Sequence, residues 1–210
     1  MLPIKPIKDW RYIFLDTSTI IDFMKDPTRF AKNPDVQARI KLAHKIIGAL
    51  EQLERNRTDK KQAFVVYVSA ISLFEIRQLE KNTTVFKTII RLFSNFDVTI
   101  VDFGKKAAEA LAVGLDEVLP EAQKQHFLKS LAIQREQEIP AQNAKEWISD
   151  DLKILACAKT LPKDKLDVIL TGDMKTFEPI AKALELPCLA TYERFLPKDL
   201  FGELDMDSNL

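Results

Sequence analysis

The chain has 210 residues, and its 31 basic and 31 acidic side chains give a formal net charge of zero. Its hydrophobic fraction of 46% is ordinary for a globular protein, and no apolar run reaches the roughly 18 residues that a membrane span needs. Neutrality excludes an overall basic surface of the kind common in nucleic-acid-binding proteins, but it leaves room for a local basic face. The first residues lack the apolar stretch of a secretory signal, which predicts a cytoplasmic protein.

Short apolar runs alternate with helical patterns along the whole chain. Predicted strands lie at 12–15, 64–68, 97–101, 166–171 and 187–190. Predicted helices begin near 19, span 35–55, follow Ser69, cover 85–93 and 105–139, and return at 147–160 and 177–184, with a turn at 140–144. This alternation predicts an α/β protein with three layers, in which helices flank a five-stranded, mostly parallel sheet.

Four acidic residues stand at predicted strand ends or in the helices that follow them: Asp16, Glu75, Asp151 and Asp173. The carboxyl ends of parallel strands share one edge of a sheet, and ligands bind in the crevice there. Taken singly, each acid also fits a helix cap or a turn. Together at one edge they would repel each other unless a cation neutralised them, which predicts a divalent metal site. Asp151 is expected in the first turn of its helix.

The segments around these acids resemble the four signature blocks of the PIN-domain nucleases, a family that includes the VapC-type toxins. The blocks are Leu-Asp16-Thr-Ser, Val-Ser69-Ala-Ile-Ser-Leu-Phe-Glu75, Asp151-x-x-Ile-x-Ala-x-Ala and Leu-Thr171-Gly-Asp173-Met-Lys-Thr-Phe177, in that order. The resemblance implies a Mg²⁺- or Mn²⁺-dependent endoribonuclease whose catalytic and metal-binding residues are these four acids. Asp151 is preferred to its neighbour Asp150 because it keeps the family's spacing to Ile154.

The resemblance also implies residues around the metal and partners for the chain. Thr17 or Thr171 would supply a supporting hydroxyl, and Lys175 would meet a phosphate of the RNA substrate where many relatives have another acid. An antitoxin protein and a homodimer are further partners that the resemblance suggests. The chain is longer than a minimal toxin: we treat 1–210 as a single PIN-like domain with a core at about 11–195, helical insertions at about 34–55 and 107–139, and a tail at about 196–210.

Other functions compete with this interpretation. A catalytically silent PIN-like module for nucleic acid or protein interaction would keep the fold without the chemistry. A haloacid-dehalogenase-like phosphatase needs a second acid two residues after the strand-end aspartate, and Ser18 occupies that place. No nucleophile elbow of a serine hydrolase is visible. Cys157 and Cys188 are predicted to be core residues without a disulfide, and His44 and His126 to be surface or packing residues.

Overall fold

A computed structural model describes residues 4–57, 63–79, 87, 94, 96–118, 141–175 and 177–201. Its five strands are β1 (Tyr12–Leu15), β2 (Val65–Ser69), β3 (Asp97–Val101), β4 (Val168–Thr171) and β5 (Cys188–Ala190). The α-helices in these ranges are α1 (Thr17–Met24), α2 (Pro34–Arg55), α3 (Ala70–Leu79), α4 (Lys105–Val118), α5 (Ala141–Lys159) and α6 (Phe177–Ala183). None of the helices in the described ranges is long and apolar enough to cross a membrane.

The strands form one sheet in the order β3-β2-β1-β4-β5, and every neighbouring pair is parallel. The predicted parallel α/β fold is therefore confirmed. From the central strand β1 the chain first builds the sheet outward through β2 and β3, and then returns to add β4 and β5 on the other side. The direction of winding reverses between β1 and β4, and such a switch point opens a crevice at the carboxyl ends of the two strands.

Side chains alternate between two cores, one on each face of the sheet, because successive residues of a strand point to opposite faces. Ile13 and Leu15 of β1 point into a core that α1, α2 and α3 cover, whereas Phe14 points into a core that α5 and α6 cover. Helix α2 lies in a segment expected as an insertion, and it buries an apolar stripe in the first core: Leu42, Ala43, Ile46, Ala49 and Leu50.

Most predicted boundaries agree with the structure to within a few residues, but one region differs. The turn predicted at 140–144 is wrong, because α5 already begins at Ala141 and continues to Lys159. Asp150 and Asp151 therefore lie in the middle of a helix, and neither is a helix cap. The helix predicted at 85–93 and the second half of the helical segment 105–139 lie outside the described residues, as does His126.

Two sequence predictions about single residues are confirmed. Cys157 and Cys188 are both buried and both free, as expected of core residues. His44 is partly buried, and its Nε2 lies 3.2 Å from the backbone oxygen of Asp22 in α1, so it serves packing between α1 and α2. The segment 196–201, expected as part of a tail, packs on the first core: Leu200 is buried, and its carbonyl accepts a hydrogen bond from the backbone N–H of Ile7 at 2.8 Å.

Candidate active site

The aspartate at the end of β1 is the centre of the candidate site. Asp16 directly follows the strand, and its backbone N–H donates to the carbonyl of Leu170 at 3.0 Å, which extends the pairing of β1 with β4. The side chain is only 3% exposed, although a charged carboxylate normally keeps contact with water. Position 16 precedes α1, but the side chain does not cap that helix. It turns instead toward the loop after β4, and the cap explanation of Asp16 fails.

Two hydroxyl groups bind the same oxygen of this carboxylate. Ser18 Oγ donates to Asp16 Oδ2, and Thr171 Oγ1 donates to the same atom at 2.8 Å. Each hydroxyl also accepts a backbone N–H of the loop after β4: Ser18 from Gly172 at 2.7 Å, and Thr171 from Asp173 at 2.9 Å. Asp16 is thus joined through two hydroxyl bridges to the loop that carries Asp173. Both Thr171 and Ser18 therefore bind the Asp16 carboxylate, and of these two the sequence pointed only to Thr171.

The loop after β4 folds tightly around a glycine. A Cβ atom on Gly172 would lie 3.0 Å from Oδ2 of Asp22 and 3.2 Å from Oγ of Ser18, so the position has no room for a side chain. The next residue, Asp173, accepts the backbone N–H of Lys175 at 2.8 Å and so closes a turn before α6. Lys175 is exposed at this rim. The loop is therefore packed from below and open to solvent on its outer side.

Glu75 reaches the site from α3. Its side chain is partly buried, and Oε2 accepts a hydrogen bond from the hydroxyl of Thr17, the residue after Asp16. Helix α3 enters from β2 in a fixed direction because Ser69 caps it: Oγ of Ser69 accepts the backbone N–H of Ser72 at 2.8 Å. The stripe of α3 that carries Glu75 faces the crevice, as the spacing predicts.

Burial and neighbouring acids raise the pKa of the carboxyl groups in this crevice. The pKa of Asp16 is raised, first by burial and also by the charge of Asp173, although the hydroxyls of Ser18 and Thr171 oppose the rise. The pKa of Glu75 is raised from 4.5 to about 7, first by burial and then by the charges of Asp16 and Asp150, against the opposing bond from Thr17. Both carboxyl groups therefore keep a proton more readily than usual, and a bound cation would offset the cost of ionising them.

Helix α5 supplies the remaining acids. Of the neighbouring pair, the charge of Asp150 acts on Glu75, and Asp150 also forms an ion pair with Lys153 at 2.7 Å. Asp151 is partly buried in the same turn of the helix. The spacing of the acidic blocks favours Asp151 over Asp150, and it does not point to Lys153, whose charge lowers the pKa of Glu75. The sequence signal available for the pair Asp150 and Lys153 is their separation of three residues, which puts an acid and a base on one face of a helix.

No protein-family model, curated protein or solved structure matches this chain. The resemblance of its acidic blocks to the PIN-domain nucleases thus rests on those blocks, and the site has to be interpreted from its own geometry.

The oxygen donors of the site suit a hard divalent cation, but the acidic side chains that the structure describes are not grouped closely enough to form a complete site. Carboxylate and hydroxyl oxygens are ligands that Mg²⁺ accepts, and Mg²⁺ usually keeps several waters beside one or two carboxylates. Within the described ranges, however, no three acidic, histidine or cysteine side chains are grouped closely enough to hold a metal ion together. The structure brings Asp16, Glu75 and Asp173 to one crevice without forming the predicted four-carboxylate cluster.

A second set of polar groups behind the loop was not predicted from the sequence. Arg39 of α2 binds Asp22 of α1 through two nitrogens, at 2.6 Å to Oδ2 and 2.9 Å to Oδ1. The same guanidinium donates to the carbonyl of Gly172 and to the hydroxyl of Tyr192, each at 3.3 Å. Arg39 thereby ties two helices to the loop after β4. Residues 17 positions apart on separate helices give no pattern by which a sequence would reveal this pair.

A mostly apolar cavity lies elsewhere in the part of the chain that the structure describes. It has a volume of about 470 Å³ and is lined by Leu166 and Pro187, which precede β4 and β5, together with Ala158 near the end of α5. These residues belong to the amino edge of the sheet, opposite the crevice. The cavity therefore takes no part in the candidate site.

Proposed function

We propose that this protein is a metal-dependent endoribonuclease that hydrolyses phosphodiester bonds of RNA at the crevice between β1 and β4. The observation that carries the proposal is the buried Asp16 carboxylate at the switch point, with Glu75 and Asp173 near enough for acidic charge to raise carboxyl pKa values. Acidic side chains held in such a crevice are expensive unless they serve binding or chemistry, and perturbed pKa values are frequent at functional sites.

The proposed metal is Mg²⁺ or Mn²⁺, which Asp16, Glu75, Asp151 and Asp173 would hold partly through water. When bound, such an ion supplies charge neutralisation of the scissile phosphate and lowers the pKa of a water molecule. Ser18 and Thr171 keep the Asp16 carboxylate in one orientation through their hydroxyl bridges. A fixed orientation matters because electrostatic stabilisation is greatest when the charged groups need not reorganise during the reaction.

Glu75 can hold either a proton or a cation. Without a bound cation its pKa is about 7, raised first by burial, so both protonation states are populated near neutral pH, and a cation bound there would take the place of the proton. The hydroxyl of Thr17 donates to Glu75 Oε2 and so fixes which oxygen faces α1. Lys175, exposed beside Asp173, is placed to contact a phosphate of the substrate.

The test is cleavage of a labelled single-stranded RNA with Mg²⁺ or Mn²⁺, compared between the wild-type protein and Asp16→Asn. Asparagine preserves the shape of the buried group and removes its charge, so we expect cleavage to fall by at least about 100-fold. Asp164→Asn is the matched control, because Asp164 is an exposed aspartate before β4 at the opposite edge of the sheet. Cleavage that survives Asp16→Asn, or that persists in EDTA, would refute the proposal.

The incomplete carboxylate grouping favours one alternative, a catalytically silent PIN-like module that binds nucleic acid or protein. In that case Glu75 and Asp16 would be satisfied by the hydroxyls that bind them now. Titration calorimetry with Mn²⁺ distinguishes the two functions: saturable binding that Asp16→Asn removes supports the nuclease, and absence of binding supports the silent module. An antitoxin partner, a homodimer and a cytoplasmic location stay predictions from the sequence.

A further inference from the structure

A basic and aromatic cluster lies beside the candidate site, directly after β5. Tyr192 and Phe195 contact each other edge to face, with ring centroids 6.3 Å apart and planes at 85°. The guanidinium of Arg194 lies over both rings, at 4.9 Å from the centroid of Phe195 and 5.9 Å from that of Tyr192. We call Tyr192, Arg194 and Phe195 the platform. The platform is thus a pair of aromatic rings with the guanidinium of Arg194 above them.

The platform is bonded to the loop of the candidate site. The hydroxyl of Tyr192 donates to the carbonyl of Gly172 at 3.2 Å, and Nη2 of Arg194 lies 2.9 Å from Sδ of Met174. Gly172 and Met174 are the two neighbours of Asp173 in the chain. The platform is therefore held against the loop that carries Asp173.

The charges of the platform are available to a ligand. Arg194 and Lys175 are both exposed, and neither takes part in an ion pair with any residue that the structure describes. The nearby base Lys182 is already paired with Glu178 at 2.7 Å. Phe195 is 39% exposed, so part of its ring is open to a ligand.

We infer that the platform binds single-stranded nucleic acid next to Asp173, with an unpaired base against Phe195 and phosphates against Arg194 and Lys175. Aromatic faces stack any base, and arginine adds charge and cation–π attraction, which is how single strands are bound without sequence preference. A locally basic surface is compatible with the net charge of zero of the whole chain. The inference concerns binding of the strand, and it rests on the proposed function only for the later cleavage of that strand.

The experiment measures binding of a fluorescein-labelled 12-nucleotide oligouridylate by anisotropy, in EDTA so that no cleavage occurs. Because stacking on one aromatic side chain contributes about 1–3 kcal/mol, we expect Phe195→Ala to weaken binding by at least about 5-fold. Phe195→Trp should keep or increase the affinity. Arg194→Ala should weaken binding and make the slope of log affinity against log salt shallower by about 0.7, which is the contribution of one phosphate contact on a single strand.

Arg11 provides a matched control for Arg194. It is an exposed arginine whose guanidinium also lies over an aromatic ring, 5.3 Å from the centroid of Tyr12, but it precedes β1 at the opposite edge of the sheet. Arg11→Ala should leave affinity and salt slope unchanged. The inference fails if Phe195→Ala binds like the wild type, if Arg11→Ala loses as much as Arg194→Ala, or if the wild type does not bind the strand at all.

Further arms of the same assay separate stacking from charge and binding from cleavage. A blunt RNA duplex should bind at least about 5-fold more weakly than the single strand, since a paired base cannot stack on Phe195; equal affinity would overturn the stacking role. Oligothymidylate tests whether the platform distinguishes DNA from RNA, and binding of either strand agrees with a stacking surface. If the platform variants lose binding while the wild type cleaves no RNA with Mn²⁺, the platform is upheld and the nuclease is refuted.

Discussion

Replacing Glu75 by Gln should change how the free energy of unfolding depends on pH. In the metal-free folded protein the pKa of Glu75 is about 7, whereas in the unfolded chain it is near 4.5. Between these values the folded state holds a proton that the unfolded state has released. The glutamate therefore favours folding below about pH 4.5, and this contribution is lost as the pH rises to about 7 and above.

The size of the effect follows from the same pKa values. A displacement from 4.5 to about 7 corresponds to about 3 kcal/mol, at about 1.4 kcal/mol for each pH unit. Because Glu75 is only partly buried, solvent screening reduces this to about 1–2 kcal/mol. Glutamine keeps an acceptor for the hydroxyl of Thr17 and has no charge to release. Glu75→Gln should therefore match the wild type at pH 5 and exceed it by about 1–2 kcal/mol at pH 8.

Urea unfolding in EDTA at pH 5, 6, 7 and 8 measures this difference, followed by tryptophan fluorescence because Trp10 is buried in the core. Glu109→Gln is the control: Glu109 is an exposed glutamate on α4, and its replacement should change stability by less than about 0.5 kcal/mol at every pH. A flat difference between Glu75→Gln and the wild type across this range, or a loss of stability at pH 8, would refute the assignment of Glu75 to an electrostatically strained crevice.

Three further predictions concern the groups around the site. Thr171→Val removes a buried hydroxyl that bridges two groups and should lower the free energy of unfolding by about 1–3 kcal/mol in urea titrations, whereas Thr171→Ser should retain most of it. Arg39→Met removes the closest cation of the buried Asp22 carboxylate and leaves Lys25, whose Nζ lies 3.9 Å from Oδ1. The change should cost about 3 kcal/mol, of which the double variant with Asp22→Asn recovers a large part; equal costs for single and double variants would show that the pair is not coupled. Burial raises the pKa of the Cys157 thiol to about 11 and that of Cys188 above its usual value, so both should react with a disulfide reagent at pH 8 only after urea unfolds the protein, and fast labelling of the native state would contradict their burial.

The acids at strand ends were predictable because a strand end is a local signal. Asp16 directly follows the apolar strand β1, Asp173 comes two residues after the end of β4, and a parallel sheet brings such ends to one edge. Asp151 was placed in the right helix but at the wrong point along it. The sequence Pro140-Ala-Gln-Asn-Ala predicts a turn, although proline is also favoured at the start of a helix.

The parts of the site that were missed depend on contacts between distant segments. Asp22 and Arg39 lie on two helices, and each alone looks like an ordinary surface charge of its helix. The platform residues follow the last strand, where Glu193-Arg194-Phe195 gives no periodic pattern and forms only a short 3₁₀ turn. Tyr192 lies in the loop after β5 and Arg39 in α2, and the two become neighbours only because the fold packs these segments together.

The hydroxyl bridges to Asp16 run in one direction, and this decides which of its oxygens can change. Each bridge passes from a backbone N–H through a hydroxyl to Oδ2, so the single protons of Ser18 and Thr171 are both committed to that oxygen. A proton that Asp16 takes up must then settle on Oδ1. The same polarity orients asparagine in Asp16→Asn: its carbonyl oxygen replaces Oδ2, and its NH₂ group replaces Oδ1. The substitution therefore turns an acceptor into a donor at the oxygen that the two hydroxyl bridges do not bind.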